Sequence, residues 1–225
     1  MWSAFRSIHH LESSGGDSTG NLNNTDVGLS YSAGKVGNDA TFSNGSNSRV
    51  TTTTGSTSVG TYTYFAWFKS TSTNNRGIVT WTNTGGDTSS GYQININLTS
   101  SGTLNVTSGP TTSGTYNDNA WHRVAVTGNG PGNAGVIYVD GASAASGGCY
   151  NFGATTIYEM IGRYAGASKT SFDGMLGETR WWAGSLLSAN WITTEYNNQS
   201  DEAGFWGTWS DVGGATNTTN FFLMM

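Results

Sequence analysis

TYTYFAWFKS, residues 61–70, carries rings on both of its alternating sets of side chains. In an extended chain, successive side chains point to opposite faces of the sheet. Tyr62, Tyr64 and Phe68 therefore share one face, and Phe65 and Trp67 share the other. A strand apolar on both faces is buried on both faces, so this segment predicts the central strand of a sheet with something packed over each side.

Around it, short apolar stretches separated by Gly, Asn and Asp read as further strands. They cover Arg6–Leu11, Ala40–Phe42, Arg49–Thr53, Thr61–Lys69, Gly77–Thr82, Tyr92–Thr99, Thr103–Thr107, Trp121–Thr127, Val136–Val139, Tyr158–Gly162 and Gly174–Trp182. VIYVDGASAA, residues 136–145, carries a hairpin turn at Asp140-Gly141, a pair that tolerates the positive φ such turns require. Ser188, between Leu187 and ANWITTEY, reads as the N-cap of one short helix of about two turns. About a dozen strands, one helix and no composition break large enough for a linker predict an all-β fold. The expected architecture is a single two-sheet sandwich with the helix near the C-terminus. The domain is expected to span residues 1–213. Residues 214–225 read as a polar tether with an apolar C-terminal tail, whose Phe221, Phe222 and Leu223 are candidates for docking into a partner.

Composition narrows the function. The 225 residues include 33 Gly and only 2 Pro, are 12% aromatic and only 10% charged, and carry a net charge of −5. The rings supply enough buried area for a real core, which argues against disorder. A net acidic chain with nine scattered Lys and Arg has no basic stripe for nucleic acid. No apolar stretch is long enough for a membrane span, and the opening MWSAFRSIHHLESS has no apolar run to serve as a signal peptide. The one cysteine, Cys149, has no internal partner and is expected in a loop or half-buried. Ser/Thr/Asn-rich, weakly charged surfaces suit an extracellular or virion setting.

Seven segments then recur in one order: HLESSGGDSTGNLNN (10–24), AGKVGNDATFSNGSNSRV (33–50), YFAWFKS (64–70), NAWHRVAVT (119–127), VIYVDG (136–141), EMIGR (159–163) and FDGMLGETRWWAGSLLSANWI (172–192). Together they resemble the concanavalin A-like, laminin-G-like jelly-roll family found in bacterial surface proteins and tailed-phage virion proteins. The resemblance covers nearly the whole chain. It implies an all-β, two-sheet antiparallel jelly-roll sandwich used mostly to bind glycans or protein surfaces, although some relatives are glycosidases and others structural virion parts. Fold alone does not choose between these; the site must.

Asp173 and Glu178 pose the enzyme question. Glycoside hydrolysis normally needs two carboxyl groups about 5–9.5 Å apart. Residues two apart on a strand share a face at about 7 Å, yet no two acidic residues here have that spacing. Asp173 and Glu178, five apart, would lie about 16 Å apart on opposite faces if extended. The Glu-x-Asp-x-x-Glu strand of the family's glucanase branch has no match, so no catalytic residue is assigned. His9, His10 and His122 read as structural strand histidines.

The resemblance also implies a calcium site, with Asp17 and Asn21 from the loop DSTGNLNN and Glu178 from the FDGMLGE strand. Calcium takes 6–8 oxygen ligands. Relatives often carry Asp before this Glu, where this chain has Gly177, and the alternative is that Asp17 caps a turn while Glu178 pairs with an arginine. For a ligand, Trp81, Tyr92, Tyr164 and Trp182 are candidate rim rings, with Trp67 and Trp121 assigned to packing. Adjacent Trp181 and Trp182 must face opposite sides. The leading expectation is a non-catalytic module recognising a glycan or another surface. A self-assembling or capsid-decorating subunit is the first alternative, and a glycoside hydrolase the second.

Overall fold

The computed structural model describes residues 5–52, 56–57, 60–83, 93–129, 133–149, 156–164 and 170–201. Fifteen strands precede one helix: β1 (Phe5–His9), β2 (Asn24–Val27), β3 (Ser30–Ala33), β4 (Asn38–Phe42), β5 (Arg49–Thr52), β6 (Ser56–Thr57), β7 (Thr61–Lys69), β8 (Arg76–Thr82), β9 (Gln93–Leu98), β10 (Leu104–Val106), β11 (His122–Asn129), β12 (Asn133–Val139), β13 (Ala142–Cys149), β14 (Thr156–Ile161), β15 (Gly174–Ala183) and α1 (Ala189–Ser200). One sheet runs β13-β12-β11-β7-β15-β4-β3, with β1 also paired to β15. The other runs β10-β9-β8-β14-β5-β2, with β6 on β14. All described pairings are antiparallel. The expected all-β jelly-roll sandwich is the observed fold.

β7 is central in the first sheet, as its two-sided apolarity requires. Seven consecutive residues, Tyr62–Phe68, are buried. Tyr64, Ala66 and Phe68 pack toward the second sheet with Trp81, Val124 and Leu176. Phe65 packs on the outer side with Ala125 of β11 and Ile192 of α1. The register against β11 is unbroken from His122↔Phe68 to Asn129↔Thr61. The β12–β13 hairpin turns at Asp140 (φ 51°) and Gly141 (φ 78°), the left-handed pair that Asp-Gly accepts. Fully burying one such ring or branched side chain contributes about 1.5–3 kcal/mol.

The helix exists because the outer side of β7 cannot face water. Ser188 caps it, accepting from the Trp191 amide at 3.3 Å. It runs three turns rather than two, because Gln199 in the last turn accepts from Trp67 Nε1 at 2.7 Å. Between helix and sheet lies Arg123, its guanidinium 4.8 Å from the Phe65 ring and 3.1 Å from Glu195.

Four strands escape the pattern read from sequence, the two-residue β6 among them. β2 and β3 are polar edge strands, and β13, ASAASGGC, is small residues throughout. Cys149 is buried at the end of β13 rather than in a loop, because Tyr62 packs against it with its hydroxyl 3.3 Å from Sγ. No helix among the described residues is long and apolar enough to cross a membrane.

Candidate functional site

At one end of the sandwich β7 stops, β15 begins and the loop before β11 closes over the gap. Gly174 makes the close approach possible. Its φ is +142°, and a Cβ there would lie 2.1 Å from the Lys69 carbonyl oxygen. The Ser70 hydroxyl donates to the Asp173 carbonyl at 2.6 Å, and the Asn119 amide N–H donates to the Ser70 carbonyl at 3.1 Å. Asn119 itself is left-handed at φ 67°, a conformation asparagine tolerates better than most residues. These bonds fix an open cleft of about 380 Å³, lined by Lys69, Ser70, Thr71, Asn119, Asp173, Gly174 and Met175. That volume falls within the usual range for small-ligand sites.

The lining suits a polyhydroxylated ligand. Asp173 offers acceptors with its side chain half exposed, and buried Arg76 stands 3.7 Å behind it. Asn119 brings both donor and acceptor, Lys69 brings donors, and the Thr71 hydroxyl does both, while the buried Ser70 hydroxyl is spent on the Asp173 carbonyl and the Ser72 amide. Met175 adds an apolar wall. The lining holds a single carboxylate, whereas general-acid hydrolysis of a glycoside normally uses two.

The other carboxylates that share a neighbourhood are spoken for. Glu178 and Glu195, both buried, grip Arg180 from two sides beneath α1. Glu178 also meets His10 Nδ1 at 2.9 Å and accepts from Gln199 at 3.1 Å. Burial alone would raise its carboxyl; the His10 hydrogen bond and the Arg180 charge overcome that and hold it at about 2. Glu159 lies in the core between the sheets, accepting from Ser7 Oγ at 2.8 Å with His9 Nε2 at 3.3 Å.

Asp17, Asn21 and Glu178, expected as calcium ligands, each meet protein partners in the structure. The Asp17 carboxylate is saturated by protein donors: the amides of Ile8 (2.9 Å), Thr19 (3.0 Å) and Leu22 (2.9 Å), together with the Thr19 hydroxyl. Burial raises this carboxyl, but those bonds outweigh it and hold it below the usual range. It organises the turn. Asn21 is exposed and turns its amide nitrogen to the Phe5 carbonyl at 3.2 Å. Glu178 points under the helix to His10, Arg180 and Gln199. The space opened by Gly177 is taken by Asp39, whose Oδ1 would sit 2.8 Å from a Cβ there. Burial pushes the Asp39 carboxyl up to about 6. No three His, Cys, Asp or Glu among the described residues are grouped to hold a metal.

The rim rings divide differently from expectation. Trp81 is 2% exposed, wedged against Tyr64 and Trp181, so it belongs to the core and offers no platform. β8 is buried along its whole length, which its lone alternating pattern did not reveal. Tyr164 is half-buried, its amide bonded to the Thr170 carbonyl at 2.9 Å. Trp181 and Trp182 do face opposite sides. Trp181 is core, and Trp182 is half-buried on the outside between Phe5 and Trp191. Trp121 precedes β11 and is half-buried rather than packed inside. Tyr92 and the tail residues Phe221, Phe222 and Leu223 lie outside the described residues. Lys69, Asn119 and Met175 were not read as site residues: the segments that hold them pointed to fold, and Lys69 and Asn119 come near Asp173 only through bonds between distant loops.

A family model described as the concanavalin A-like lectin/glucanases superfamily matches residues 44–193. No curated protein matches the sequence. Among solved structures, domain 4 of an extracellular arabinanase from Geobacillus stearothermophilus, in complex with arabinotriose, superposes with a TM-score of 0.61 at 19% identity, over 84% of this chain and 96% of that one. The binding domain of Paraclostridial Mosquitocidal Protein 1 gives 0.63 at 14% identity, over 88% of this chain and 52% of that one. The ligand-binding domain of botulinum neurotoxin serotype D, in complex with N-acetylneuraminic acid, gives 0.58 at 14% identity, over 88% and 52%. The chain thus spans about half of those toxin structures.

Proposed function

We propose, for a chain that belongs to the concanavalin A-like lectin/glucanases superfamily, that it is a non-catalytic binding module taking a glycan in the Lys69–Asn119–Asp173 cleft. The observation that carries this is the lining itself: one half-exposed carboxylate backed by a buried arginine, an amide, an ammonium, the Thr71 hydroxyl and a thioether wall. Such a set can grip hydroxyl groups from several directions, and it lacks a second carboxylate to complete a cleaving pair. The arabinotriose and N-acetylneuraminic acid complexes of the similar structures support a sugar as the ligand class. A weakly charged, hydroxyl-rich surface supports display outside a cell or on a virion. Titration of the protein with a panel of pentose, hexose and sialic-acid oligosaccharides, with chromatography of the sugars afterwards, tests this. Saturable binding with intact sugars is expected, and release of shorter products would overturn it.

A structural role in an assembly is the second reading. Among the described residues, Leu186 and Trp191 are the exposed large apolar side chains, at 43% and 39%. Trp191 stands beside Trp182 and Phe65. Size-exclusion chromatography across a hundred-fold concentration range separates the readings: a monomer throughout favours the module, an assembly throughout the structural part.

A further inference from the structure

His122 sits one residue inside the wall of the cleft, with a carboxylate on each ring nitrogen. Nδ1 is 2.8 Å from Asp140 Oδ2, and Nε2 is 3.1 Å from Asp118 Oδ1. Asp140 is anchored in the β12–β13 turn, where its Oδ1 accepts from the Arg123 amide at 2.9 Å. Asp118 belongs to the loop that lines the cleft, and its Oδ1 also accepts from the Ala120 amide at 2.9 Å. The residue between Asp118 and Ala120 is Asn119, which forms the cleft wall. The ring therefore ties the turn that carries Asn119 to the β12–β13 turn.

We propose that His122 is a positioning residue for the binding cleft: as imidazolium it clamps the Asp118–Ala120 turn and holds Asn119 in place, and as neutral imidazole it lets that turn go. The clamp rests on the reading of the cleft as the binding site only for its effect on ligand.

The chemistry follows from donor counting. Carboxylates only accept, so both contacts need a ring N–H, and only the imidazolium has two. Neutral imidazole keeps one. The shorter contact, to the less exposed Asp140, retains it: the Asp140 side chain is 33% exposed against 56% for Asp118. The Nε2 lone pair then faces the Asp118 oxygen, and attraction becomes repulsion. The remaining neighbours do not compensate. Phe68, across on β7, presents an uncharged ring with its centroid 5.7 Å away. From the loop, Tyr116 presents its ring edge at 5.3 Å, and burial raises its hydroxyl above the ordinary tyrosine range. Arg123 points to the opposite face, against Glu195. The Asp140 hydrogen bond, acting against burial, raises the imidazole above its ordinary 6.5, and Asp118 adds to this. The clamped form therefore holds below a midpoint raised above 6.5 and opens as pH rises through it.

The test begins without ligand. The ring proton of His122 and the amide of Ala120 are followed by NMR from pH 5 to 10 in the wild type and in Asp118→Asn. In the wild type both signals should move with one shared midpoint above 6.5. In Asp118→Asn the contact loses its charge, so the ring still titrates while Ala120 follows it far less. An Ala120 amide that ignores the midpoint of the ring in the wild type overturns the clamp. Oligosaccharide titrations at pH 6 and 9 follow. A Kd at least five-fold weaker at pH 9 in the wild type, and level in Asp118→Asn, extends the clamp to the ligand. A pH-independent wild-type Kd overturns that extension. If Ala120 titrates with the ring but no sugar binds at either pH, the clamp stands and the reading of the cleft falls.

Discussion

Replacing Glu178 by glutamine should remove most of the pH dependence of stability between pH 4.5 and 2 that comes from the helix dock. The carboxylate is 8% exposed and makes contacts to His10, Arg180 and Gln199. Its carboxyl is held at about 2 against an ordinary 4.5. A depressed acid binds its proton more readily in the unfolded chain. Its stabilisation is therefore complete above 4.5 and is lost as pH falls through 2. At roughly 1.4 kcal/mol per pKa unit, the fall is worth about 3 kcal/mol. That is a ceiling for the whole dock, since His10 and Arg180 share the same interaction. The assay is urea unfolding, read by tryptophan fluorescence, at pH 7, 4.5, 3 and 2. Other acids titrate in both proteins, so the quantity that matters is the difference between wild type and Glu178→Gln. It should shrink from about 2–3 kcal/mol at pH 7 to near zero at pH 2. A difference that stays constant across that range would refute the assignment of Glu178 as the acid-labile clasp of α1.

Three further changes probe other parts of the fold. Glu159→Ala leaves His9 and Ser7 buried without their acceptor and should cost about 3–5 kcal/mol in urea unfolding, while His9→Leu with Glu159→Met should recover most of it. Ser188→Ala removes the cap of α1 and should lower stability by about 1 kcal/mol with the helical circular dichroism kept. Calcium in hundred-fold excess over Kd would add about 2.7 kcal/mol to a protein that bound it. Because Asp17 and Glu178 already point their oxygens at protein donors, melting curves in chelator and in millimolar calcium should coincide.

Hydrophobic period made the scaffold readable. The two-sided apolarity of residues 61–70 placed the central strand, Asp140-Gly141 placed its hairpin, and Ser188 placed the helix start. Each is a local rule that tertiary context did not override. The edge strands β2, β3 and β13 were not readable, because edge and small-residue strands have no apolar alternation to betray them. Trp81 misled for a related reason. Its place at a strand end near Asn suggested a rim, but Thr80 beside it spends its hydroxyl on the Arg163 carbonyl at 2.6 Å and the whole strand is covered. The cleft was least legible. Asp173 stood out as a scarce charge, while Lys69 and Asn119 become its neighbours only through bonds between loops about 50 to 100 residues apart in the chain.

The central claim is that the Asp173 cleft binds a sugar and does not cut it. The most direct test is a glycan array probed with the wild type and with Asp173→Asn, followed by isothermal titration of the best hit. Wild type should bind a defined set of glycans, and Asp173→Asn should bind the same set at least ten-fold more weakly while melting at the same temperature. If Asp173→Asn binds as tightly as wild type, the ligand sits elsewhere on the sandwich and the assignment is wrong.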